Sequence, residues 1–93
     1  MANSTLFLLQ AQYSQSSQVI EQIQQMATKN DAIVLMAESS LLYAEAALQS
    51  YQCYVLEADA SILPEDAATQ VQVINYTEFS TLLLQYHRCI SLK

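Results

Sequence analysis

The chain of 93 residues carries nine Asp and Glu against three Lys and Arg, a formal net charge of −6, and it contains no glycine. The acidic balance argues against contact with nucleic-acid phosphates or an anionic membrane surface, since both need clustered Lys and Arg. The lack of glycine excludes P-loops and dinucleotide-binding fingerprints, whose glycines let the backbone approach phosphate closely.

The N-terminal part of the chain predicts a strand, a helix and a second strand. Residues 5–9 (TLFLL) and 32–37 (AIVLMA) are unalternating apolar runs, typical of strands buried on both faces. Between them, apolar residues recur at helical spacing from position 19 to position 27, with glutamines on the opposite face. The predicted ends of this helix are an N-cap at Ser14, Ser16 or Ser17 and a stop at Lys29 and Asn30.

From residue 38 the chain predicts a polar break, a helix and a third strand. The break is Glu38-Ser39-Ser40, and residues 41–50 (LLYAEAALQS) predict a helix by propensity. Residues 52–56 (QCYVL) follow as the third strand, and residues 57–66 as a polar connection with a helical turn before Pro64.

The C-terminal part predicts a strand joined directly to a helix. The elements are a fourth strand at residues 70–74 (QVQVI), a helix at 76–86 and a short fifth edge strand at 89–92 (CISL). Asn75 is the predicted N-cap of this helix, and Glu78 reaches back to it in a capping box. Tyr76 and Phe79, three residues apart, are expected to share a face toward the core or a neighbouring subunit.

The alternation of strands and helices predicts the fold class. It favours a three-layer α/β/α domain over residues 1–93, with a mostly parallel sheet of four to five strands and a Rossmann/flavodoxin-like topology. In open α/β sheets, ligands lie beyond the carboxyl ends of the strands. The segments from which a site would be built are residues 10–14, 37–40, 57–59 and 75–77.

Few side chains suit catalysis or metal binding. His87 is the sole histidine, and without clustered ligands we predict no metal site. Cys53 lies inside an apolar run and is predicted to be buried, whereas Cys89 stands beside His87 and Arg88 in the one locally electropositive thiol environment. We predict no catalytic, cofactor-binding or metal-ligating residues and no cofactor, and Cys89 is the candidate if the chain has a reactive thiol.

The strand ends also carry carboxylates, at Glu38, Glu57 and Asp59. We predict that they form a solvated rim, because no general base or positioning group accompanies them. Five of the six tyrosines are scattered over three elements, where they could mark an interface or pack in the core. They are Tyr43, Tyr51, Tyr54, Tyr76 and Tyr86.

The composition predicts an oligomer in a reducing compartment. Apolar residues make up 53% of the chain, against roughly 45–50% in average soluble domains. In so small a chain, a subunit interface is the natural cover for that surplus. Two cysteines are too few for a disulfide framework. The first residues lack the basic start of a signal peptide, and no apolar stretch is long enough to span a membrane. We therefore expect a cytoplasmic protein without membrane contact.

Three segments in order along the chain carry a family resemblance. They are AIVLMAESSLLYAEAA (32–47), QCYVLEADASIL (52–63) and VINYTEFSTLLLQYH (73–87), and Tyr76-Thr77-Glu78-Phe79 is the most specific part. Together they resemble the small DsrH/TusB-type subunit of the DsrEFH/TusBCD sulfur-relay complexes, over nearly the whole length. The resemblance implies a DsrEFH-like α/β fold and association with DsrE/TusD-like and DsrF/TusC-like subunits in a hetero-oligomer.

The resemblance also implies a function. It predicts a subunit of a persulfide-transfer complex that serves 2-thiolation of the tRNA wobble uridine, or the related sulfur-oxidation pathway. Some members carry a cysteine in the first helix, but residues 19–26 contain none, and Ile23 stands near that place. The chain is therefore expected not to be an enzyme by itself. The alternatives are a stand-alone thiol sulfurtransferase that uses Cys89, and a diverged homo-oligomeric DsrH-like protein of sulfur metabolism.

Overall fold

Five parallel strands form one sheet in the computed structural model, which describes residues 4–10, 12–28, 30–64 and 71–92. The strands are β1 (Thr5–Leu9), β2 (Ala32–Leu35), β3 (Gln52–Leu56), β4 (Gln72–Ile74) and β5 (Arg88–Leu92). Their order across the sheet is β4-β3-β2-β1-β5. β1 lies between β2 and β5, with Leu6 opposite Ala32 on one side and Cys89 on the other. The predicted α/β fold with a parallel sheet is confirmed, and its fifth strand is an edge strand.

Within the described residues, two α-helices and four 3-10 segments connect the strands. The helices are α1 (Ser16–Met26) and α2 (Tyr76–Gln85), and the 3-10 segments are Tyr13–Gln15, Ala37–Ala44, Ala46–Leu48 and Glu57–Ile62. The last of these contains the helical turn predicted before Pro64. Lys29, Lys93 and residues 65–70, which include part of the predicted connection and the first residue of the predicted fourth strand, lie outside the described residues.

The predicted helix over residues 41–50 is wrong. The chain forms 3-10 turns there, and they are interrupted at Glu45, whose backbone is extended with ψ 124°. The first of these turns begins only one residue after β2 ends, so Ser39, Ser40 and Leu42 are buried against the sheet. The Ser40 hydroxyl donates a hydrogen bond to the Ala37 carbonyl. Tertiary packing overrides the helix propensity of this segment.

The predicted serine cap of α1 is also wrong. The N-cap residue is Gln15, which makes no side-chain capping hydrogen bond. Its φ of −105° and ψ of 11° differ from the extended conformation of a capping residue, because the preceding 3-10 turn runs straight into the helix. The helix ends at Met26, and Ala27 is already extended.

Each face of the sheet carries its own hydrophobic core. On the α1 face, strand residues such as Phe7 and Leu35 pack with Val19 and Ile23 of α1 and with Leu48. On the α2 face, strand residues pack with α2. The residues of this second core include Leu6, Val34, Ile74, Phe79, Leu82 and Leu83. Helical segments therefore cover both faces, and the domain has three layers.

Four of these five tyrosines pack against the two cores, which favours core packing over an interface role for them. Tyr43 and Tyr51 pack against the α1-face core, and Tyr54 and Tyr86 against the α2-face core. Tyr76 differs, since its side chain is 66% exposed. Phe79 packs inward without Tyr76, so the two residues do not share a buried face.

The predicted cap of α2 is confirmed. Asn75 Oδ1 accepts a hydrogen bond from the Glu78 N–H at 2.8 Å, and Glu78 Oε1 accepts one from the Asn75 N–H at 2.9 Å. The box satisfies two backbone donors, so β4 passes into α2 with Asn75 as the only connecting residue and without glycine.

Replacing Asn75 by alanine is expected to lower the free energy of unfolding by about 0.5–2 kcal/mol, because the Glu78 N–H loses its acceptor. Urea unfolding followed by circular dichroism measures the change. Gln85→Ala, at an exposed position in the last turn of the same helix, is the matched control and should change stability by less than about 0.5 kcal/mol. Equal unfolding midpoints for Asn75→Ala and the wild type would contradict the cap.

Candidate functional site

The carboxyl ends of β3 and β4 form a topological switch point. After β3 the chain continues into the 3-10 segment Glu57–Ile62, whose Ala60 packs against the α1-face core. After β4 it continues into α2 on the opposite face. Adjacent parallel strands whose connections leave to opposite faces open a crevice between them, and ligands of open α/β sheets bind in such crevices.

A pocket of about 370 Å³ occupies this crevice. The described residues of its lining are Leu56, Glu57, Ala58, Ile74, Asn75 and Tyr76. Leu56 and Ile74 are 5% and 3% exposed, so they form an apolar floor. Glu57 and Tyr76 are exposed at its border. Two of the four strand-end segments expected to build a site, residues 57–59 and 75–77, therefore meet here.

A third strand-end segment is tied to this region through Asp59. The Ala37 N–H donates a hydrogen bond to Asp59 Oδ2 at 3.0 Å, which joins the end of β2 to the end of β3. Ala37 has a φ of 51°, a left-handed conformation that costs a residue with a Cβ atom roughly 1–2 kcal/mol. The Asp59 carboxylate thus stabilises a strained turn. Of the carboxylates predicted to form a solvated rim, Glu57 is exposed, whereas Asp59 is half-buried and engaged in this hydrogen bond. The side chain of Glu38 lies outside the described part of the structure.

The described lining of the pocket is acidic. It carries the carboxylate of Glu57 and no cationic side chain. Within the described residues, Glu57 makes no side-chain hydrogen bond or ion pair. Arg88 lies in β5 at the far edge of the sheet, where its Nε donates to Thr5 Oγ1 at 3.0 Å.

A second pocket of about 280 Å³ lies between α2 and the β4 edge of the sheet. Its described lining is mostly polar and consists of Tyr54, Gln72, Ile74, Thr77, Glu78, Thr81, Leu82 and Gln85. Glu78 is the one carboxylate among these residues, and the capping box with Asn75 already engages it. The described lining of this pocket therefore offers no carboxylate free for chemistry.

The two thiols differ in access. Cys53 is 6% exposed, its Sγ donates to the Leu48 carbonyl at 3.5 Å, and burial raises the pKa of this thiol to about 11. The predicted buried role is confirmed. Cys89 is exposed in β5 and pairs in register with Leu6, whose side chain lies on the α2 face.

Strand geometry separates Cys89 from Arg88. Successive side chains of a strand point to opposite faces of the sheet. Arg88 reaches Thr5, which stands in register with it, whereas Cys89 lies on the α2 face. The Arg88 guanidinium group, adjacent to this thiol in the sequence, therefore lies on the other side of the sheet.

No metal-binding group forms within residues 4–10, 12–28, 30–64 and 71–92. No three His, Cys, Asp or Glu side chains gather there at a spacing that would hold an ion. In the same residues, no helix has the length and apolar character needed to cross a bilayer.

Asp31 is a buried polar residue that sequence reasoning missed. It is 6% exposed, and its two carboxylate oxygens accept hydrogen bonds from the Thr5 and Thr28 N–H groups, both at 2.8 Å. It directly precedes β2 and therefore lies at the amino edge of the sheet, opposite the pocket. Its carboxylate holds the start of β1. The one sign of this role in the sequence is the position of Asp31 directly before an apolar strand.

The raised pKa of Cys53 predicts a pH dependence of stability. The folded-state value of about 11 exceeds the ordinary value of 9.0, so the fold favours the neutral thiol. Its contribution to stability is complete below about pH 9 and is lost as the pH rises toward 11. Unfolding curves at pH 8 and pH 10.5 should show a larger loss for the wild type than for Cys53→Ala. Burial and the neighbouring Tyr54 also raise the pKa of Tyr86. This second effect is present in both proteins, so it cancels when the wild type is compared with Cys53→Ala.

Thiol titration gives an independent check of the same prediction. The folded protein should react with a disulfide reagent at Cys89 alone, and both thiols should react in denaturant. Rapid modification of Cys53 in the folded protein, or equal alkaline destabilisation of the wild type and Cys53→Ala, would contradict it.

Function is inferred for this chain from its residues and their geometry. No protein-family model matches the chain, and no curated protein matches it with significant sequence similarity. What its structure provides is a parallel three-layer fold, an acidic pocket at the switch point and one exposed thiol on an edge strand.

Proposed function

We propose that this chain is a non-catalytic subunit of a cytoplasmic sulfur-relay complex of the DsrEFH/TusBCD kind, and that this complex serves 2-thiolation of the tRNA wobble uridine. The proposal rests on the resemblance of three segments to DsrH/TusB-type chains. The parallel α/β fold is compatible with it. The observation that carries the non-catalytic assignment is the place of Ile23.

Ile23 is fully buried in α1, in the region where some members of that family carry a cysteine. A relay thiol must be accessible and ionisable, because the thiolate is the nucleophile. The α1-face core encloses Ile23, and it encloses Cys53 as well. Neither position supplies a sulfur carrier, which supports a structural role beside catalytic partner chains.

Exposed apolar side chains support a subunit rather than an isolated domain. Leu84 is 87% exposed on α2, and Tyr76 is 66% exposed at the start of the same helix. Met26, Leu41 and Val73 are each more than 40% exposed. Leu84 and Tyr76, both on α2, are the most exposed of these side chains and are compatible with a surface that a partner protein covers. The proposed partners are DsrE/TusD-like and DsrF/TusC-like chains, and the tRNA would contact those chains rather than this acidic one.

Co-expression with one chain of each partner type tests the proposal. We expect the three chains to co-purify, and native mass spectrometry to find a stoichiometric complex. After exposure to a persulfide donor, we expect added sulfur on a partner chain and on neither Cys53 nor Cys89. A Cys89→Ser variant should assemble and relay sulfur at the wild-type rate. A stable monomer that ignores both partners would refute the proposal.

A stand-alone sulfurtransferase is the second candidate, and the exposure of Cys89 favours it. In this reaction the Cys89 thiolate would attack the outer sulfur of a donor persulfide R–S–SH. The donor S–S bond would break, the outer sulfur would keep its hydrogen in Cys89–S–SH, and the donor thiolate R–S⁻ would leave. Mass spectrometry would then detect one added sulfur atom on Cys89 without partners, lost in Cys89→Ser. A wild-type homodimer that carries no sulfur would instead favour the diverged homo-oligomer.

A further inference from the structure

We propose that the pocket beyond β3 and β4 is a docking site for an arginine side chain that a partner protein presents. The inference goes beyond the sulfur-relay proposal, because it depends on the pocket alone and would hold for any basic partner. Three properties of the pocket carry it: the charge of its lining, the arrangement of its apolar and aromatic groups, and the state of the helix end beside it.

The charge of the pocket selects a cation. The Glu57 carboxylate is exposed and makes no hydrogen bond or ion pair with the described residues, and the described lining holds no opposing cation. The chain carries a net charge of −6, so the long-range field also attracts basic partners. A cationic side chain would complement this carboxylate at little desolvation cost, because Glu57 stays at the solvent border.

The helix end beside the pocket does not favour an anion. Switch-point crevices often hold phosphate through the free N–H groups at the start of a helix. At the start of α2, however, Asn75 and Glu78 satisfy each other's N–H groups. The Glu78 carboxylate already lies at the positive helix end, and Glu57 adds a second negative charge nearby. A phosphate or a nucleotide would meet repulsion here.

The shape of the pocket suits a guanidinium better than an ammonium. Leu56, Ala58 and Ile74 provide apolar surface for the methylene stem of a long side chain. The exposed Tyr76 ring and the Glu57 carboxylate line the same pocket. A guanidinium is planar and weakly hydrated, stacks on aromatic rings and pairs with carboxylates in a fork. The compact, strongly hydrated ammonium of lysine gains less from the ring.

A peptide-borne side chain fits better than a free small molecule. A free amino acid would bring its own α-carboxylate toward Glu57, whereas an arginine within a chain brings only the cation. The volume of about 370 Å³ lies at the low end of the roughly 300–1,000 Å³ of small-molecule pockets. Apolar side chains at the pocket, above all Tyr76, provide contact area for the backbone of the partner.

Titration of the ¹⁵N-labelled protein tests the proposal. The probe is an acetylated, amidated pentapeptide, Ala-Ala-Arg-Ala-Ala, and the matched control replaces its arginine by citrulline, which has nearly the same shape but no charge. We expect saturable amide shifts at Glu57, Ala58, Asn75 and Tyr76 with a Kd of about 1 mM. Citrulline should bind at least about tenfold more weakly, and added salt should weaken the arginine complex.

Two surface variants localise the effect. Glu57→Gln and Tyr76→Ala should each weaken arginine binding by about threefold to tenfold without loss of folding, since both side chains are exposed. Glu45→Gln removes an exposed carboxylate elsewhere and should leave the affinity unchanged. The proposal would be overturned by linear, non-saturating shifts, or by equal binding of the citrulline peptide or of a further control, Ala-Ala-Lys-Ala-Ala. Saturable shifts at these residues with inorganic phosphate would also overturn it.

Discussion

Replacing Asp31 by alanine is expected to lower the free energy of unfolding by about 3 kcal/mol or more. The Asp31 carboxylate accepts one hydrogen bond from Thr5 in β1 and one from Thr28 in the loop before β2, both at 2.8 Å. Hydrogen bonds to a charged acceptor contribute roughly 1.5–3 kcal/mol each. Alanine removes both and leaves the buried Thr5 N–H without an acceptor.

Graded variants separate this mechanism from a general loss of packing. Asp31→Asn should fall between alanine and the wild type, because Oδ1 can still accept one bond while the amide nitrogen faces a second donor. Glu45→Gln, at an exposed carboxylate, should stay within about 0.5 kcal/mol of the wild type. Denaturant unfolding followed by circular dichroism gives all four values. A loss of stability below about 1 kcal/mol for Asp31→Ala would contradict this role of the Asp31 carboxylate.

The Asp31 carboxylate belongs to a small hydrogen-bond network at the amino ends of the strands. Thr5 binds Asp31 through its N–H and accepts from Arg88 through its hydroxyl, and the His87 N–H donates to the Ser4 carbonyl at 3.0 Å. The network therefore joins β1 to the strands on both sides of it. The pocket lies at the carboxyl ends of the strands. A variant that loses the Asp31 hydrogen bonds should therefore lower stability without changing the affinity of the proposed arginine site.

The strands were predictable because burial dictates their sequences. β1 and β3 have the predicted limits, since each carries a buried apolar run that ends where polar residues begin. The capping box of α2 was predictable for a similar local reason: Asn75 and Glu78 are three residues apart and satisfy each other. The 3-10 turns after β2 were not predictable, because they accompany the burial of Ser39, Ser40 and Leu42, which helix propensity does not show.

The candidate site was predictable only as a set of segments. The rule that ligands lie beyond strand ends selected residues 57–59 and 75–77, and these do meet. Which strand ends are neighbours depends on strand order, and the sequence does not show that β4 pairs with β3 while β5 pairs with β1. The structural role of Asp31 was not predictable, because Asp31 accepts a hydrogen bond from Thr5, which lies 26 residues away in the sequence. Sequence neighbourhood likewise does not show that Cys89 and Arg88 lie on opposite faces, because this depends on the strand that they share.

Leu35→Ala is expected to have the largest effect on stability, a loss of about 3–5 kcal/mol. Leu35 is fully buried in β2, the middle strand of the sheet, and packs in the α1-face core. Elements from several parts of the chain enclose this core, so the surrounding backbone has little freedom to close the cavity that alanine leaves. The cost should therefore combine lost burial with an unfilled cavity.

Two matched substitutions make this prediction specific. Leu35→Met keeps the side-chain volume and should cost less than about 1.5 kcal/mol. Leu84→Ala removes the same atoms from a side chain that is 87% exposed, so it should stay within about 0.5 kcal/mol and gain slightly in helix propensity. A loss below about 2 kcal/mol for Leu35→Ala would mean that the core relaxes around the cavity. If Leu84→Ala keeps full stability yet weakens assembly with the proposed partner chains, this exposed side chain serves association rather than folding.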